Sequence, residues 1–180
     1  MAYTTLTAST LVSEIPDALN GVTSRAEPCS LLTGPGSPAT LNTAFVAAWA
    51  FDLSDTLSVT VPIPPRADIT AAPSLQIALM PLTTETGKEA ALTFASDTVT
   101  ASANPVAGTG AQSSASGDIA LGATAGTVQL VTIALTTAVY ASATAGQIVG
   151  VLSRTAIAGG TELTGQVGVI GASLVYTINR

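Results

Sequence analysis

The chain has 180 residues, a net charge of −6 and only 9% charged residues, against about 25% in ordinary soluble domains. It holds no histidine and a single cysteine, which removes the commonest general base and metal ligand, any intrachain disulfide and any multi-cysteine metal site. No basic cluster is present to meet phosphates or an anionic bilayer, so neither nucleic acid nor membrane is expected as a partner.

Residues 1–44 read as an N-terminal arm. "MAYTTLTASTLVSEIPD" lacks the basic and long apolar regions of an export signal, so folding is expected in the cytoplasm of the producing cell. Ser9 or Thr10 caps a short helical turn that Pro16 limits, with Glu14 early in it. "GPGSP" at 34–38 reads as a loop or linker. Two readings stay open for the arm: it docks on a neighbour, or it frays.

From Phe45 onward the pattern is that of β-strands. "FVAAWAF" (45–51) sets Phe45, Ala47, Trp49 and Phe51 on one face. "TLSVTVPIPP" (56–65) alternates Leu57, Val59, Val61 and Ile63 against Ser58, Thr60 and Pro62, and its prolines end the strand or place it at an edge. "PSLQIALMPL" (73–82) alternates Leu75, Ile77 and Leu79 against Gln76, Ala78 and Met80. "TTETGKEA" reads as an exposed hairpin tip. "AALTFAS" (90–96) and "DTVTAS" (97–102) form a shorter pair, and "ANPVAGTGAQSSASGD" (103–118) reads as a long Gly/Ser-rich loop.

"TVQLVTIALT" (127–136) and "QIVGVLSR" (147–154) are strands. The uncharged run that contains them has the length of a membrane span, but its glycines, polar residues and β-branched residues favour two strands with a loop. "QVGVIGASLVYTI" (166–178) closes the chain with Val167, Val169 and, farther on, Leu174, Tyr176 and Ile178. Many strands, turn signals between them and little helix predict an all-β fold over residues 45–180, an antiparallel β-sandwich that is jelly-roll-like.

Catalytic groups are scarce. A glycosidase needs two facing carboxylates. The acids here, including Asp52, Asp55, Asp68, Glu85, Glu89, Asp97, Asp118 and Glu162, fall mostly in loops beside turn residues. "FDLSD" (51–55) is the closest pair, and its plainest reading is an Asx-type turn. Without histidine there is no Ser–His pair, Lys88 sits in the hairpin tip, and Cys29 has no base. Loop Asp and carbonyl oxygens are calcium chemistry, but no acidic cluster of the usual spacing appears. No catalytic residue, metal ligand or cofactor is therefore assigned. A carbohydrate-binding sandwich commonly presents exposed aromatic platforms. Trp49 reads as core, and Tyr140 is the one aromatic expected to be exposed.

The order of features then carries a resemblance. A strand with Trp49 and Asp52 precedes "VTVPIPP", then "LQIALMPLTTETGKEAALTFA", a long Ser/Ala/Gly stretch, "VQLVTIALT", "AGQIVGVLSR" and "LTGQVGVIGASLVYT". Over residues 45–180 this resembles a β-sandwich of tailed-phage virion proteins, departing from it at Gln147, where an acid is usual. The resemblance implies a homotrimeric module on a virion, assembled in the host cytoplasm. Its role would be a capsid decoration (cement) protein that bridges and stabilises neighbouring major capsid protein subunits. The alternative is a tail or head fibre module that binds a host surface glycan. A secreted adhesin or surface-layer subunit would need an export signal, and a small hydrolase would need a base.

Arg154 follows the apolar run "VGVLS" in a chain with few cations. Its planar fork of donors suits a structural pin that fixes the turn "TAIAGG", or an intersubunit pin near a trimer axis. A catalytic role lacks a neighbouring base.

Overall fold

The computed structural model describes residues 24–31, 37–40, 47–63, 66–97, 112–141 and 147–178. Its strands are β1 (Ser24–Pro28), β2 (Ser30–Leu31), β3 (Ser37–Thr40), β4 (Ala47–Phe51), β5 (Thr56–Pro62) and β6 (Ser74–Pro81). There follow β7 (Glu89–Asp97), β8 (Gln112–Ala120), β9 (Gln129–Ala134), a helical turn α1 (Ala138–Ala141), β10 (Gln147–Thr155) and β11 (Val167–Thr177). One sheet runs β3-β4-β11-β6-β9, with β1 also on β11, and the other runs β2-β5-β10-β7-β8. All the strand pairings are antiparallel.

The connectivity is a folded ribbon. β4 pairs with β11, β5 with β10, β6 with β9 and β7 with β8. Winding that ribbon brings β11 against β6 and β10 against β7, which is the jelly roll. The fold class is thus the sandwich that the alternation predicts.

The period of two sets the core. Leu57, Val59 and Val61 of β5 and Leu75, Ile77 and Leu79 of β6 are buried, and they meet Leu92, Phe94, Leu152 and Val169 between the sheets. In β11 the inward positions are Val167 and Val169, then Ala172, Leu174 and Tyr176. The switch from odd to even numbers is a β-bulge between Val169 and Gly171, where one extra residue reverses the faces.

Three readings change. Residues 24–31 and 37–40 are not an arm set apart at residue 44. β1 and β3 extend one sheet and β2 the other, and the Cys29 N–H donates to the Ala172 carbonyl between them. The helical turn expected near Ser9, and residues 98–102 of the expected second segment, lie outside the described residues. The expected loop at 103–118 contains β8 from Gln112, a Ser/Ala strand whose pairing to β7 holds it in place. The Lys88 stretch is no hairpin tip: it links β6 to β7, which lie in different sheets.

No helix among the described residues is long and apolar enough to cross a membrane.

Candidate functional site

The alternation of β10 places Ile148, Gly150, Leu152 and Arg154 on its inward face. Arg154 is therefore buried, at 2% exposure, near the end of the strand. Its backbone is tied to the β4–β5 turn by the pairs Ser54 N–H to Arg154 O and Arg154 N–H to Asp55 O. Its guanidinium donates to the carbonyls of Phe51 (3.1 Å), Gly165 (2.7 Å) and Leu163, and to Glu162 Oε1 at 3.1 Å. Only Nε lacks a partner. The fork thus holds the end of β4 and the β10–β11 loop around one buried charge, all within a single chain.

The acids at this end of the sandwich brace the same loops. Glu162 Oε2 accepts the Ile157 N–H at 2.9 Å. Asp118 accepts the N–H groups of Ala158 and Gly159, both at 2.9 Å. Glu85 accepts the Thr164 hydroxyl (2.8 Å), the Thr164 and Gly165 N–H groups (3.2 and 2.8 Å) and the Thr83 hydroxyl (3.0 Å). These bonds, the Thr164 hydroxyl first among them, hold its carboxyl down to about 2. "FDLSD" is a β-turn closed by the Asp55 N–H to Asp52 carbonyl bond at 3.1 Å rather than by the expected Asx bond; the Asp55 carboxylate accepts the Asp52 N–H at 2.9 Å, and Gln166 donates to Asp52 at 2.9 Å. A general acid or base must reach a reacting atom with an exchangeable proton. Here Asp55, Glu85, Asp118 and Glu162 already accept loop N–H groups. Among the described residues no three potential ligands are grouped to hold a metal.

The described aromatic residues are also internal. Phe51, Phe94, Tyr140 and Tyr176 are buried, and Trp49 is half-buried against the core. Tyr140, expected to be exposed, is 8% exposed, and burial pushes its phenol up to about 12. Tyr3 and Phe45 lie outside the described residues.

A different surface went unnoticed in the sequence. The outer face of the β9–β6–β11 sheet carries a shallow concavity of about 460 Å³, lined in part by Pro28, Cys29, Gln76, Ala78, Leu130, Gly171 and Ser173. Leu130 is 67% exposed and Val128, just before β9, is 53% exposed. The signal was present: in "VQLVTIAL" apolar residues occupy both phases, and only Val131, Ile133 and Leu135 turn inward. Burial pushes the Cys29 thiol at its rim up to about 12, which keeps it protonated and unreactive at neutral pH.

No family model and no curated protein matches the chain. Among solved structures it is similar to a family 35 carbohydrate-binding module from Cellvibrio japonicus Abf62, with a TM-score of 0.48 and 12% identity, over 87% of this chain and 99% of that one. It is also similar to the K1 cleaved adhesin domain of Lys-gingipain from Porphyromonas gingivalis, with a TM-score of 0.42 and 11% identity, over 88% and 100% of the two chains. A third likeness is to the family 11 carbohydrate-binding module of the Clostridium thermocellum cellulase Lic26A-Cel5E, with a TM-score of 0.38 and 9% identity, over 91% and 94%. These likenesses transfer no residue role and no ligand to this chain.

Proposed function

We propose that this chain is a non-catalytic module that works by being assembled. In the finer form that its phage-virion resemblance implies, it is a homotrimeric capsid decoration protein that bridges major capsid protein subunits. The observation that supports this most is the contrast between committed and uncommitted surface. The polar loop end is occupied by its own braces, while the β9 flank offers uncharged apolar surface. A coat low in charge suits contact with like copies or a larger shell. The test mixes the full chain with undecorated shells. Co-sedimentation and a higher shell melting temperature are expected, because a ligand of the assembled state stabilises it by mass action. Absence of both sinks the decoration role.

A second reading rests on the concavity. Its volume of about 460 Å³ lies within the range of small-ligand sites, roughly 300–1,000 Å³. Gln76 and Ser173 offer hydrogen bonds beside the apolar Leu130. That chemistry fits a neutral glycan, although no described aromatic stacks there. Titration with neutral oligosaccharides separates the readings. Saturable heat that Gln76→Ala abolishes favours the glycan module, and no heat favours assembly.

A further inference from the structure

Sheet edges invite pairing with other chains unless something blocks them. Among the described strands, β2 is two residues long, β1 carries Arg25 and Glu27, and β3 contains Pro38. β8 carries Asp118 and is irregular opposite Leu92, where Gly117 has φ 73° and the Ser116 hydroxyl accepts the Leu92 N–H. β9, at the end of its sheet, has none of these protections. "QLVTIA" contains no charge, no proline and no glycine, and its pairing to β6 runs without a shift.

The direction of its free groups can be read. Leu135 N–H donates to Pro73 O at 3.0 Å, and Leu135 lies opposite Pro73 by continuation of the Ser74–Ala134 register. Hydrogen-bonded pairs alternate along an antiparallel ladder, so Gln129, Val131 and Ile133 bond towards β6. The Leu82 N–H to Gln166 O bond sets the same parity on the far side of β6. The N–H and C=O groups of Leu130, Thr132 and Ala134 therefore point out of the sheet edge, and all three residues are exposed. Gln129 at the start of β9 is tied by its side chain to Ala120 and Gly122, which fixes that end of the strand.

We propose that β9 pairs antiparallel with β9 of a second copy, about a two-fold axis at Thr132. This deepens the assembly reading and rests on it. The strand is complementary to itself: Thr132 faces Thr132 of the partner subunit, and Leu130 faces Ala134 of the partner subunit. Each facing pair exchanges both of its outward groups. A Thr–Thr pair is favourable across strands. Two chains of charge −6 repel, and an uncharged strand is where they can approach. The contact is isologous. It gives a dimer, or joins rings of three in pairs.

The test uses the full chain with Cys29→Ser to remove the native thiol. Adding Thr132→Cys places two thiols on Cα atoms about 5.5 Å apart, within disulfide reach. Mild oxidation should then give a covalent dimer on a non-reducing gel. Leu130→Cys in the same background should not, because it faces Ala134 of the partner. Separately, Thr132→Asp sets two carboxylates face to face and should weaken self-association in sedimentation by about a hundredfold, with an unchanged thermal melt. If the wild type self-associates but Thr132→Cys fails to cross-link and Thr132→Asp changes nothing, the β9 pairing is overturned and the assembly reading stands. A wild type that stays monomeric at every concentration and on undecorated shells overturns both.

Discussion

The loop end and the β9 flank of this molecule are opposites. At the loop end, Arg154, Glu162, Glu85 and Asp118 each meet backbone groups, and the polar atoms serve the fold. On the flank, Val128 and Leu130 are exposed and the outward groups of Leu130, Thr132 and Ala134 meet nothing in their own sheet. Chemically rich residues therefore mark where the chain holds itself together, and the surface left uncommitted is made of plain residues.

The strongest way to break this comparison is to remove the brace. Arg154→Ala leaves the Phe51, Leu163 and Gly165 carbonyls without their donor and Glu162 without its cation. Losing one partner of a buried pair costs about 3–5 kcal/mol. Urea unfolding should show that loss, and Arg154→Lys should recover only part of it, because a point charge cannot span four acceptors. If Arg154→Ala unfolds like the wild type but loses assembly, the pin is intersubunit and the comparison inverts.

A pair of glycines tests the same contrast in packing. A Cβ on Gly150, on the inward face of β10 two inward positions before Arg154, would lie 2.4 Å from the Phe94 ring and 2.8 Å from the Ala95 carbonyl. Gly150→Ala should cost about 1–3 kcal/mol by overpacking. A Cβ on Gly171, on the flank, meets nothing within 4 Å. Gly171→Ala should be neutral or stabilise by up to about 1 kcal/mol, by narrowing the unfolded ensemble. Equal melting temperatures for the two variants would remove the distinction.

Much of the fold was legible because burial imposes a period of two. Leu57, Val59 and Val61 declare their strand, and even the bulge shows as the change from Val169 to Leu174. β8 was not legible: Ser, Ala and Gly have weak strand preference, and only the pairing with β7 holds "QSSASGDIA" extended. The brace was half legible. Arg154 stands out in a chain poor in cations, but its acceptors are mostly carbonyls, one of them 103 residues away, and every residue has a carbonyl. Tyr140 misled because "TTAVYASATAG" looks like a loop, while the α1 turn folds its ring inward.

The acid side offers a gentler probe of the loop end. Glu85 is held at about 2 in the folded state, below its ordinary 4.5. A depressed carboxyl contributes stability that is fully present above 4.5 and is lost as pH falls towards 2. Denaturation midpoints should fall through that window in the wild type. Glu85→Gln should start lower at pH 7 and fall less steeply below 4.5. Parallel curves would mean that the Thr164 and Gly165 contacts do not hold the charge.

The smallest effect on stability is expected on the flank, and that smallness is what matters there. Leu130 is two-thirds exposed, so replacing it with Ser removes little buried area. Exposed substitutions of this kind usually stay within about 0.5 kcal/mol. The melting curve of Leu130→Ser should overlay that of the wild type, while its self-association and its uptake by shells should weaken. Apolar side chains that do nothing for their own fold have some other use or are a liability, so an unchanged melt with weakened association assigns them to a partner. A melt lowered by more than 1 kcal/mol would instead make Leu130 part of the core's cover, and the flank would no longer differ in kind from the loop end.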